Sequence, residues 1–260
     1  EQDSRISVRY SFDLSKKKLA MCVIIGSILA LGACSPAPRE TGINDPYEAG
    51  NRKVHAFNRG LDQAIVRPVA NTYGKATPTP ARRAISNVAE TLGLPASILD
   101  DMLQLRIADA GSNTFRFLMN ATFGLAGTID VATEAGIPEK PSDFGETLYT
   151  WGAKEGAYIE LPVVGPRTVR STTGLAVDLV TNPLNTVLGG TDRLAATGAG
   201  VLAKVDDRYE ARELIDEVLY ESEDSYSQTR LLYLQNRRFK LTGEQNLDLT
   251  DFYDDIYGAE

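Results

Sequence analysis

The sequence predicts a mostly α protein, and three observations carry that reading. Apolar residues recur at spacings of three and four along most of the chain, the signature of one-sided helices. Pro and Gly punctuate these stretches where helices would start and stop. Only Ala157-Tyr158-Ile159-Glu160-Leu161, ended by Pro162, reads as a strand, one half of a short β-hairpin.

The chain opens with an export signal. Lys16-Lys17-Lys18 precedes the apolar run Leu19 to Leu31, and Leu31-Gly32-Ala33-Cys34 closes it. A basic start, a short apolar centre and small terminal residues mark a cleavable signal. The run is shorter than the roughly 20 residues a membrane span needs. A cysteine directly after the small residues resembles the bacterial lipobox, so Cys34 is the expected lipid-attachment residue and Ser35 an outer-membrane address. Residues 1–33 are therefore read as extension plus lipoprotein signal, 34–44 as a lipidated linker, 45–243 as one helical domain and 244–260 as an acidic tail.

From Pro46 to about Ile65, Val54, Phe57, Leu61 and Ile65 form an apolar stripe, and Asn51, His55, Asn58 and Asp62 a polar one. Thr77-Pro78-Thr79-Pro80 breaks the chain, with Thr79 placed to cap the next helix and Pro80 at its first position. Ile85, Val88, Ala89 and Leu92 continue an amphipathic helix that Gly93-Leu94-Pro95 is expected to stop, with a further helix through Ile98, Met102 and Leu103. Arg106 to Phe123 is the most regular stretch. Ile107, Ala110, Thr114 and Phe117 share one face, while Arg106, Asp109, Asn113, Arg116 and Asn120 share another. Helices resume from about Thr168 to Val180 and again after Asn182-Pro183. Asp206 to Leu241 is the longest helical region, with Leu214, Val218 and Leu219 on one side.

Charge and cysteine usage narrow the function. The whole chain has 27 Lys+Arg and 35 Asp+Glu, of which five and three fall in residues 1–33; residues 34–260 thus carry 22 against 32, a net charge near −10. Charge of that sign argues against nucleic acid or anionic lipid head groups as partners held by bulk charge. Cys22 is expected to leave with the signal and Cys34 to be acylated, so no disulfide is expected in the domain.

Catalytic signatures are absent from the linear sequence. His55 is the single histidine and sits on an Asn-rich polar stripe, where a surface or channel-rim role is expected. No nucleophile and base pair is evident, no metal ligand set stands out, and no cofactor is expected. Gly198-Ala199-Gly200-Val201-Leu202-Ala203 matches a dinucleotide fingerprint without the preceding strand it requires. Asp100-Asp101 and Asp254-Asp255 read as solvated pairs. The chain is expected not to be an enzyme.

Asp45-Pro46-Tyr47-Glu48, Asn51-Arg52 and Phe57-Asn58 resemble the opening motif of the MlaA (VacJ) outer-membrane lipoproteins. The likeness continues through Arg67-Pro68-Val69-Ala70, Phe115-Arg116-Phe117, Gly127-x-x-Asp130-Val131-Ala132 and Phe144-Gly145-Glu146-Thr147-Leu148 to Tyr158-x-x-Leu161-Pro162-x-x-Gly165-Pro166. His55 departs from the aromatic or apolar residue more usual there. The resemblance implies a ring of amphipathic helices in the membrane interface around an amphipathic channel. It also implies removal of stray phospholipid from the outer leaflet, handover to a soluble periplasmic carrier, and association with a trimeric porin. A porin scaffold without lipid transfer is the alternative, and a lipid hydrolase the more distant one. Asn51, Asn58, Arg106, Asp109, Asn113, Arg116 and Asn120 are the expected channel lining. Gly124, Gly127 and Asp130 are the expected gate, and alanine at the glycines is expected to leave folding intact. In the tail, Asp251, Phe252, Tyr253, Asp254 and Asp255 alternate charge with apolar anchors and are the expected carrier-docking residues.

Overall fold

The computed structural model describes residues 42–242; Cys34 and the tail lie outside the described residues. The elements in order are α1 (Glu48–Leu61), a π-helical segment (Asp62–Val66), α2 (Arg67–Ala76), α3 (Thr79–Leu103), α4 (Ile107–Thr122), α5 (Val131–Glu134) and α6 (Phe144–Thr150). Then come β1 (Tyr158–Leu161), β2 (Gly165–Thr168), α7 (Val169–Thr181), α8 (Leu184–Val187), α9 (Gly190–Glu210), α10 (Arg212–Asp216), a second π-helical segment (Glu217–Glu221) and α11 (Ser225–Thr242). The fold is mostly α with one small antiparallel hairpin, in which Tyr158 pairs with Thr168 and Leu161 with Gly165.

Local chemistry explains several boundaries. α1 and α2 form one continuous rod because the π-helical turn absorbs Pro68: Arg67 N–H reaches back to the Asp62 carbonyl, and Pro68 has no N–H to place. Thr168 caps α7 by accepting from Ser171 N–H while the Ser171 hydroxyl accepts from Thr168 N–H. Pro78, not Thr79, occupies the N-cap of α3.

Two boundaries differ from expectation. α3 runs unbroken through Gly93-Leu94-Pro95 for 25 residues. A proline inside a helix costs about 3 kcal/mol, but here Thr91, Leu94 and Ser97 are all buried where α3 packs on its neighbours. Tertiary contact along both sides outweighs one lost hydrogen bond. The region Asp206 to Leu241 is conversely split at Ala211 and at 222–224. The Gly198-x-Gly200 motif lies inside α9 with no strand before it, so the dinucleotide geometry is absent.

Interior and surface have unusual compositions. The core cluster is small, built from Tyr158, Tyr226 and Leu234. Buried positions are instead rich in polar side chains, Arg116, Asn113, Asp101 and Thr147 among them. Large apolar side chains lie outside: Leu105 is 81% exposed, Val187 77%, Phe123 75%, Val163 74% and Leu194 73%. Among the described residues no helix is long and apolar enough to cross a membrane. α6 and α7 meet at a glycine pair that the periodicity did not reveal: a Cβ on Gly174 would lie 2.3 Å from the Gly145 nitrogen. Gly174→Ala is expected to push α6 off α7 and lower the unfolding midpoint by several degrees in thermal circular dichroism.

Candidate functional site

The polar stripe of α1 is a seam rather than a wet face. Asn51 Nδ2 donates to Asp45 Oδ1 at 2.9 Å and to the Tyr158 carbonyl at 3.1 Å, and its Oδ1 accepts from Glu160 N–H at 3.0 Å. One turn on, His55 is 5% exposed. Its Nε2 lies 3.1 Å from Ser225 Oγ and its Nδ1 3.5 Å from Glu160 Oε1. Asn58 donates to the Leu161 carbonyl at 2.9 Å and accepts from Val163 N–H at 2.7 Å. Asp62 receives two bonds of 2.9 Å from Arg208 and one of 2.7 Å from Tyr220. Of the surface or channel-rim role expected for His55, the surface half is incorrect. The hairpin and the start of α11 cover that stripe, and they bring a serine and a glutamate to the ring that were 170 and 105 residues away in sequence.

Between this seam and the C-terminal helices lies a cavity of about 1100 Å³. Its polar lining includes His55, Asn58 and Arg59 from α1, Asp62 from the first π-helical segment and Glu160 from β1, with Leu61 and Val66 beside them. The C-terminal elements α10, the second π-helical segment and α11 contribute Leu214, Val218, Leu219, Leu232, Tyr233 and Phe239, together with Thr229, Gln235 and Asn236. A second cavity of about 470 Å³ adjoins the same seam, lined by Arg52, His55, Arg59, Ser225 and Tyr226 among others. His55 and Arg59 line both. Arg52 is clamped by Asp224 at 2.8 and 3.0 Å, and that guanidinium holds the Asp224 carboxyl far below the ordinary range. Arg59 lies 5.5 Å from the Tyr220 ring centre, with no carboxylate partner among the described residues.

Of the expected channel residues, Asn58 lines the large cavity and Asn51 is buried beside it. The stripe on α4 does not line it. Arg106 bonds Asp101 at 2.9 Å and Ser142 at 3.0 Å, and Asp109 pairs with Lys140. Asn113 donates to Asp101 at 2.8 Å and to the Lys140 carbonyl at 2.9 Å. Arg116 bonds Asp130 and Thr133 at 3.0 Å and also the Ile137 carbonyl; Asn120 holds Asp130 at 2.9 Å and Ala132 N–H at 3.0 Å. This face clamps the segment 130–146 against α4, so the expectation that it walls a passage is corrected. All five polar side chains in helical register find protein partners, and Asn113, Arg116 and Asn120 are buried.

The expected gate also has a different form. A Cβ on Gly124 would lie 2.2 Å from the Ile129 carbonyl oxygen, and one on Gly127, at φ +87°, would lie 2.8 Å from Thr91. Asp130 caps α5 through Thr133 N–H. These glycines mark close backbone approach, not a loose hinge. Gly124→Ala and Gly127→Ala are each expected to destabilise the fold, by about 1–3 kcal/mol in chemical denaturation, which replaces the expectation of intact folding.

Asp100 and Asp101, read as solvated, are buried at 3% and 0% exposure. Burial, with Asp178 nearby, pushes Asp100 up to about 7 against a hydrogen bond from Thr147. An acid raised on folding favours the protonated native state, so its contribution is present below about pH 4 and is lost as pH rises toward 7. Asp100→Asn is expected to flatten that part of the stability profile, read as unfolding midpoint against pH.

The apolar stripe Leu214, Val218, Leu219 was legible as a helix side, but the polar residues that share its cavity lie some 150 residues earlier and were not. In the structure α1 and that stripe line one cavity. Residues 43–240 match the model of the MlaA lipoprotein family. The chain belongs to that family. The "Intermembrane phospholipid transport system lipoprotein MlaA" of Shigella flexneri is 33% identical over 224 residues, covering 84% of this chain and 87% of the relative. The protein of the same name from Haemophilus influenzae is 30% identical over 234 residues, covering 87% and 91%. A solved structure from "Structural basis for maintenance of bacterial outer membrane lipid asymmetry" aligns with TM-score 0.67 and 31% identity, over 76% of this chain and 99% of that one. The MlaA match spans the seam, both cavities and the α4 clamp, and stops before the acidic tail.

Proposed function

We propose that the protein is an outer-membrane lipoprotein that removes phospholipid from the outer leaflet and passes it to a soluble periplasmic carrier, maintaining lipid asymmetry. The observation that carries this reading is the size and mixed lining of the large cavity, which combines Asn58, Arg59 and Asp62 with Leu214, Val218 and Leu219. A phospholipid is likewise part polar and part apolar. Its head group finds hydrogen-bonding and charged partners in Asn58, Arg59 and Asp62, and its acyl chains pack on the apolar residues of α10 and the second π-helical segment. The names of the MlaA relatives support the same cargo.

Exposed Leu105, Phe123, Val163, Val187 and Leu194 suit a protein lying in the bilayer interface, where an apolar surface has an apolar neighbour. Acylation of Cys34 adds anchoring at about 0.8 kcal/mol per buried methylene. A trimeric porin is the expected companion in the membrane. The tail around Asp251, Phe252, Tyr253, Asp254 and Asp255 is the proposed carrier dock. A cell lacking this protein is expected to display more surface-exposed phospholipid, corrected by the intact gene. Unchanged surface phospholipid on deletion would favour a scaffold without transfer.

A further inference from the structure

The wall shared by the two cavities holds a constellation that lipid passage alone does not require. Ser225 is half-buried at the start of α11 and lines the smaller cavity. Its Oγ lies 3.1 Å from His55 Nε2, whose Nδ1 faces Glu160 Oε1 at 3.5 Å. The His55 and Glu160 side chains are 6% and 2% exposed. Glu160 is held in place: its second carboxylate oxygen accepts from the Tyr158 hydroxyl, Oε1 accepts from Asn58 at 3.3 Å, and its N–H bonds Asn51. The imidazole is fixed edge-on by Tyr226, with ring centres 5.7 Å apart. A neutral ring with its proton on Nδ1, toward Glu160, leaves Nε2 free to accept the Ser225 proton. That is the division of roles in a serine, histidine and carboxylate triad, which is recognised by geometry and not by sequence position.

The geometry points to an acyl-ester-cleaving centre in which Ser225 is the nucleophile, His55 the general base and Glu160 the group that orients it. The substrate class is a fatty-acyl ester bearing an anionic group. Its acyl chain would occupy the larger cavity, and its anion would lie near Arg52 and Arg59. The substrate side of this inference rests on the reading that the larger cavity receives phospholipid. In the first step Ser225 Oγ bonds to the ester carbonyl carbon and its proton moves to His55 Nε2. The carbon–oxygen bond to the alcohol then breaks, and the alcohol leaves with that proton. Water, deprotonated by the same nitrogen, releases the fatty acid and restores Ser225. Ser225 begins an 18-residue helix, whose N-terminal dipole end favours the developing oxyanion. The His55–Glu160 separation is longer than a hydrogen bond and has to close by about 0.5 Å in the loaded state, as catalytic contacts do in many empty sites.

The test is covalent labelling of the full chain in detergent with a long-chain alkyl fluorophosphonate, followed by peptide mass mapping. Labelling is expected at Ser225, absent in Ser225→Ala and retained in Ser227→Ala, a serine of the same turn. His55→Gln is expected to slow it at least 100-fold and Glu160→Gln at least 10-fold, with circular dichroism showing that each variant folds. No adduct at Ser225, equal labelling of heat-unfolded chain, or an unchanged rate in folded Glu160→Gln would overturn the assignment. The readout requires no transport, so failure of ester cleavage, read as labelling, and failure of lipid transfer, read as surface-exposed phospholipid in cells, are separate results.

Discussion

Asp130→Ala is expected to destabilise the protein by about 3–5 kcal/mol, the range for removing one partner of a buried ion pair. The Arg116 side chain is 2% exposed and Asp130 20%. Asp130 accepts from Arg116 at 3.0 Å, from Asn120 at 2.9 Å and from Thr133, side chain and backbone alike. Burial raises the Asp130 carboxyl, but the bonds from Thr133, Asn120 and Arg116 outweigh it and hold the group below its ordinary value. Without the carboxylate, Arg116 keeps only Thr133 Oγ1 and the Ile137 carbonyl, neither of which carries a full charge. Denaturant unfolding measures the loss. Arg116→Met combined with Asp130→Ala is expected to cost less than the two single changes added together, because no unpaired buried charge remains. For a carboxyl lowered on folding, this stabilisation is present above about pH 4 and is lost as pH falls through the depressed folded value. Cost without coupling would mean the pair is not what fixes the segment 130–146.

Filling the large cavity is expected to have the greatest functional effect. Val218→Trp with Leu219→Trp places two indoles into a space of about 1100 Å³ on its apolar wall. Open volume accommodates the added bulk, so the unfolding midpoint should change little, unlike overpacking of a filled core. Lipid transfer between vesicles and carrier should fall at least tenfold. Leu194→Trp, on a side chain already 73% exposed, serves as the control and should leave transfer intact. Equal loss in both proteins would remove the cavity from the account.

Much of the fold was legible because helical periodicity is a local property. The α4 boundaries fall within one residue of the regular stretch. Pro162 ends β1 and Thr168 caps α7 as their chemistry demands. Pro95 misled because local propensity yields to packing on two sides, which no window of sequence contains. The site was less legible. A polar stripe on a helix looks the same whether it meets water, a passage or another segment of chain; α4 meets the segment 130–146 and α1 meets the hairpin. His55 was visible as a lone histidine, yet Glu160 and Ser225 become its neighbours only once β1 and α11 fold onto α1. Glycine frequency suggested a hinge at Gly124 and Gly127, whereas the requirement is space, which depends on Ile129 and Thr91.

Photocrosslinking in living cells tests the central claim most directly. A photoreactive amino acid placed at Leu219, inside the cavity, should capture phospholipid, recovered as a covalent adduct on the intact protein and identified by mass. The same residue at Glu213, on the charged outer side of α10, should capture little. Absence of phospholipid adducts at Leu219 while the protein is in the membrane and asymmetry is maintained would contradict a lipid path through this cavity.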